Sequence, residues 1–100
     1  RAYQYRKNGG KRAERRGIIM KLNDTVATMN SADFKDRMRA EYYQLVIRAD
    51  GLDEMLKKYK SGKLTFTPKC DYELLYEQLV YMRQYQRILE CRAEIEGVIM

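Results

Sequence analysis

Histidine and tryptophan are absent from the sequence, proline occurs once and cysteine twice. Histidine is the usual general base near neutral pH and the commonest metal ligand. Its absence removes Ser–His and Cys–His nucleophile systems and the familiar zinc sites. Two cysteines cannot build a disulfide framework. Cys70 and Cys91, placed along one helix about 21 residues or 30 Å apart, are expected to be free thiols. No apolar run approaches the roughly 18 residues of a membrane span, and no charged-then-apolar leader ends in a small-residue cleavage site. These absences lead to the expectation of a soluble cytoplasmic protein with no membrane partner, no metal and no cofactor.

What is present is one domain's worth of chain. The 100 residues are 45% hydrophobic and 11% aromatic, enough for a modest core. The net charge of +6 is unevenly spread: residues 1–22 hold eight basic side chains against Glu14, and the other 78 residues hold twelve basic against thirteen acidic. Residues 1–30 are therefore read as a flexible basic arm, and residues 31–100 as the folded domain. Met20 and Met29 are candidate start positions, which would put part of the arm upstream of the protein. Within the arm, Arg6, Lys7, Lys11, Arg12, Arg15 and Arg16 lie near Tyr3 and Tyr5. Cations release counterions from phosphate backbones and rings stack on bases, so these six are the candidate nucleic-acid contacts.

From Ser31 the pattern turns helical, with Asn30 or Ser31 as N-cap and Asp33 and Asp36 in the first turn. Met38, Tyr42, Leu45, Ala49, Leu52, Leu56 and Tyr59 recur in steps of four and three. That heptad spacing predicts one helix over about 32–60 that packs along a coiled-coil-like seam. Gly51, inside it, suggests a bend or a close contact. Ser61–Cys70 reads as a ten-residue extended connector whose Leu64 and Phe66 fold back onto the helix ends. A second helix runs from about Asp71 to Glu96, stopped by Gly97. Its apolar residues Leu74, Leu75, Leu79, Met82, Tyr85, Ile88, Leu89 and Ile95 cover a broad face. The expected fold is all-α, an antiparallel two-helix hairpin. Lys35, Arg37 and Arg39 would then lie beside Glu90, Glu94 and Glu96, and Lys57, Lys58 and Lys60 beside Asp71, Glu73 and Glu77. Arg48 would fall awkwardly near Arg83.

Two helices form a single layer and leave apolar surface wet, which predicts a homo-oligomer. Nine tyrosines sharpen the point, because rings with a polar tip are enriched at interfaces. Tyr43, Tyr72, Tyr76, Tyr81 and Tyr85 are the candidate interface rings. Gln78 and Arg92, on the otherwise apolar side of the second helix, are candidates to fix register by bonding Glu41 or a second subunit. Carboxylates are plentiful, but acid–base catalysis needs two of them held in a cleft in unequal environments, which a hairpin does not offer. Ser31 and Ser61 have no base to activate them. The chain therefore reads as non-enzymatic.

Glu73-Leu74-Leu75-Tyr76-Glu77-Gln78, then Met82, Tyr85, Leu89-Glu90 and Arg92-Ala93-Glu94-Ile95-Glu96, resemble a family of small phage and prophage helical-hairpin proteins related to a small protein of crAss-like phages. Asp33-Phe34-Lys35-Asp36-Arg37-Met38, Glu41, Leu45 and Phe66-Thr67-Pro68-Lys69-Cys70 carry the resemblance further, over about residues 30–98. Family members commonly begin near the position of Met29, and Asp71 stands where they often have a proline. The resemblance implies a phage-encoded accessory protein made in the host cytoplasm, and it brings no activity to carry over. The resulting expectation is action by protein–protein interaction, with a host protein as partner. A nucleic-acid-binding module is the alternative, and capture of a small anionic ligand in a pocket between subunits is a third reading.

Overall fold

The computed structural model describes residues 20–100. All regular structure among them is helical: a 3-10 turn at Leu22–Thr25, then α1 (Val26–Met29), α2 (Phe34–Ser61) and α3 (Tyr72–Glu96). Residues 1–19, with the candidate phosphate contacts Arg6, Lys7, Lys11, Arg12, Arg15 and Arg16, lie outside the described residues.

The ends of the long helices are built by short-range chemistry. α2 starts two to three residues later than the sequence suggests, because Asp33 is its N-cap and accepts from the Lys35 amide at 3.0 Å. Ser31 instead accepts from the Asp33 amide and donates to Asp36, at 3.1 and 2.8 Å. α2 ends at Gly62, whose φ of 76° is a left-handed conformation that glycine adopts without a Cβ penalty. The Lys63 amide then reaches back to the Lys58 carbonyl at 2.9 Å. α3 is capped as its sequence predicts, with Asp71 accepting from the Leu74 amide at 2.9 Å and Gly97 left-handed at its end. The Val98 amide closes that end on the Ala93 carbonyl at 2.8 Å.

α2 and α3 pack along their length. Tyr42 meets Glu90, Asp50 meets Arg83 and Tyr59 meets Tyr72. The core has two parts. One gathers Met38, Tyr42, Tyr43, Leu45, Val46, Leu89, Ala93, Val98 and Met100; the other gathers Ala49, Leu56 and Leu79 with Leu52, Leu75 and Tyr72 against them. Half-buried Met82 packs against both. The heptad of α2 is thus its buried side, joined by Ala40, Tyr43 and Val46, which the spacing argument leaves out.

Tyr43 and Val46 share a cluster with residues beyond the end of α3. Val98 and Met100 are buried, Tyr43 Oη donates to the Met100 carbonyl, and Arg39 Nε donates to the Ile99 carbonyl at 2.7 Å. At the other end, residues 22–29 are helical where the sequence reading has a flexible arm. Thr25 explains this: its hydroxyl donates to the Leu22 carbonyl at 2.7 Å, accepts from Gln44 of α2 at 2.9 Å and is buried. A residue that closes its own turn while bonding α2 needs no apolar periodicity to be ordered.

Three local expectations are corrected. Phe66 is exposed and only Leu64 is half-buried, so the connector does not plug the helix ends with both. Arg83 does not oppose Arg48, which is exposed; it bridges to Asp50 and Asp53 at 3.0 and 3.7 Å and donates to Gln86 at 2.7 Å. The basic side chains Arg39 and Lys57 pair within α2, with Asp36 at 3.0 Å and Asp53 at 3.5 Å, because helical neighbours three and four residues apart are nearer than the facing carboxylates.

Gly51 has no close neighbour: a Cβ there would meet nothing within 4 Å. Gly51→Ala is therefore expected to stabilise the protein by about 1 kcal/mol through helix propensity, read as a higher urea midpoint. Tyr42 is fully buried and donates to Glu90 at 2.5 Å. Tyr42→Phe keeps the ring and removes a bond to a carboxylate, so a loss of about 1.5 to 3 kcal/mol is expected in the same measurement.

Candidate functional site

At the connector end of α2 and α3 the helices part around a cleft of about 420 Å³. The C-terminal part of α2 supplies Asp53, Leu56, Lys57, Lys60 and Ser61, and the N-terminal part of α3 supplies Tyr72, Tyr76 and Leu79. Leu56 and Leu79 are buried and make an apolar floor. Helical spacing puts Tyr72 and Tyr76 one above the other, and their rings are nearly parallel, 10° apart with centroids at 6.1 Å. Tyr59 packs its edge on Tyr72 at 5.5 Å, and the Lys60 ammonium lies 5.4 Å from the Tyr72 centroid. Tyr72 is thereby held in place, while Tyr76 is exposed and its ring is open to another partner.

The charge at this cleft is unequal. Asp53 is engaged by Lys57 at 3.5 Å and by Arg83 at 3.7 Å. Among the described residues Lys60 has no carboxylate partner, only the tyrosine face. The cleft thus combines stacked rings, an apolar floor, the Lys60 ammonium and a Lys57–Asp53 ion pair. The Ser61 hydroxyl also lines it and donates to the Lys58 carbonyl at 3.2 Å. Among the described residues no group of three or more histidine, cysteine or carboxylate side chains could hold a metal ion, and Cys70 and Cys91 are free.

The candidate interface residues separate into three groups. Tyr43 is buried inside the fold with its hydroxyl on the Met100 carbonyl, so it presents no surface. Tyr72 and Tyr76 belong to the cleft. Tyr81, Tyr85, Gln78 and Arg92 are exposed on α3. The bond to Glu41 proposed for Gln78 or Arg92 is made by Tyr85. The buried polar residue of α3 is Gln86, which accepts from Arg83 and which the sequence reading passes over. Lys57 and Lys60 also escape notice as site residues, because lysines near the C-terminal end of a helix have a sufficient explanation in the helix dipole. The signal that could find them is that Lys60 and Tyr72 flank one connector and must meet if it turns back.

No helix among the described residues is long and apolar enough to cross a membrane. No curated protein and no solved structure shows significant similarity to the chain. A family model described as Sequestin matches residues 32–95, which takes in nearly all of α2, the connector and α3 with every residue lining the cleft, and this chain belongs to the Sequestin family.

Proposed function

We propose that this protein acts by non-covalent binding rather than catalysis, and that its ligand is a small anion carrying a flat ring, of the nucleotide class. The observation that carries the reading is the parallel Tyr72–Tyr76 pair beside Lys57 and Lys60 over one apolar-floored cleft. Its volume of about 420 Å³ lies in the range of small-molecule sites. A base stacked on an aromatic side chain gains about 1–3 kcal/mol, and ammonium groups complement a phosphate. In this reading the two long helices form an antiparallel hairpin, which is what brings residues 53–61 beside residues 72–79. In this reading the bound ligand is retained and not converted, a role that the description Sequestin suits.

A second reading is action on a host protein by a phage-encoded accessory protein in the host cytoplasm, as the resemblance to phage hairpin proteins implies. The observation favouring it is the row of exposed apolar side chains on α3. The nucleic-acid alternative rests on Arg6, Lys7, Lys11, Arg12, Arg15 and Arg16, and it requires DNA or RNA affinity that falls steeply with salt.

Calorimetric titration of the full chain with adenosine monophosphate, adenosine and inorganic phosphate tests the cleft. The nucleotide is expected to bind, with adenosine and phosphate each weaker by about tenfold or more, since each keeps only one of the two contacts. Tyr76→Ala and Lys60→Glu should each weaken nucleotide binding by about the same factor and leave the melting temperature within a few degrees, because both side chains are exposed. Absence of binding by adenosine monophosphate, or binding indifferent to both substitutions, refutes the proposal.

A further inference from the structure

We infer that the outer face of α3 is a self-complementary seam on which a second copy of this chain packs antiparallel. Leu74, Tyr81, Ile88 and Ile95 recur every seven residues, and each is more than half exposed, at 55, 63, 53 and 63%. Gln78, Tyr85 and Arg92 fall between them in steps of four and three, and all three are exposed. Together they make the spacing of a two-helix coiled-coil seam about 32 Å long. The residues that α3 buries against α2, among them Leu79, Leu89 and Ala93, lie about a third of a turn round the helix from this row. α3 therefore carries two apolar faces, and α2 covers one of them. Four large apolar side chains exposed in one row, interrupted by Gln78 and Arg92, are a feature of interaction surfaces.

The order of charges along the row selects the occupant. Glu77 flanks its N-terminal half and Arg92 its C-terminal half. If a second α3 is turned end for end about the point between Gln84 and Tyr85, Leu74 meets the second copy's Ile95 and Tyr81 meets its Ile88. Arg92 then lies opposite the second copy's Glu77 and Gln78, and the twofold repeats that pair at the other end. A parallel copy would set Arg92 on Arg92 and Glu77 on Glu77. The antiparallel arrangement also opposes the two helix dipoles. The seam keeps the register role expected for Gln78 and Arg92, but assigns it to the contact between copies. It stands independently of the ligand reading, since none of these residues lines the cleft.

The test is sedimentation equilibrium of the full chain over a wide concentration range, with circular dichroism to verify helix content. The expected mass is twice the 12.0 kDa of one chain. Ile88→Glu, at an exposed position, should leave the helix content unchanged and yield a monomer. Arg92→Glu should weaken the dimer by about tenfold or more by facing Glu77 with a like charge, and adding Glu77→Arg to the same chain should restore it. A wild-type monomer throughout the range would overturn the proposal and assign the face to a different protein. A dimer insensitive to Ile88→Glu, or an Arg92→Glu defect that Glu77→Arg does not rescue, would overturn it as well.

Discussion

Tyr42 holds the two long helices in one register. It is fully buried in the seam of α2, beside Leu89 of α3, and its hydroxyl ends on Glu90. An apolar seam alone permits sliding, because one heptad step resembles the next. A buried hydroxyl that must find a partner allows one alignment. Once Tyr42 is opposite Glu90, Arg83 comes to Asp50 and Asp53, and Tyr72 comes to Tyr59. The cleft is a consequence of that last meeting.

A pair of helices buries one side of each and leaves the rest in water. This protein adds cover where it can, with Thr25 and the turn before α1 on one part of α2, and Val98 and Met100 on another. That is why α2 can bury Tyr43 and Val46 beyond its heptad. Among the described residues α3 gains no such cover on its outer row. The connector end is likewise left open, since Phe66 points to solvent and does not fill the space over Leu56 and Leu79. The two surfaces assigned a binding role are the places where a two-helix layer runs out of its own residues.

Local chemistry made the element boundaries legible. Asp71, Gly97 and Gly62 act where capping rules place them, since a cap needs only its own turn. The beginning of α2 was displaced by two to three residues because Asn30, Ser31 and Asp33 are all competent caps in isolation. Ser31 was drawn away by Asp36. Charge blocks were a poorer guide: Arg39 and Lys57 found carboxylates on their own helix, and the bridge across the helices came from Arg83, which the block pattern had left unexplained. Gln86 was invisible for a related reason, as its burial depends on Arg83 supplying a partner.

By itself, then, the sequence determined the helical class, the two long helices with their stops, and the absence of histidine-based chemistry. These follow from propensity, periodicity and composition, which act over a few residues. Tertiary structure alone decided which tyrosines face inward and that Lys60 stands over Tyr72 across the connector. It also decided that Leu74, Tyr81, Ile88 and Ile95 form the bare row and Leu79 and Leu89 the covered one. Apolar residues on both sides of a helix carry no mark of which side its neighbour will take. That choice is made by the fit of the whole seam, with Tyr42 on Glu90 at its centre.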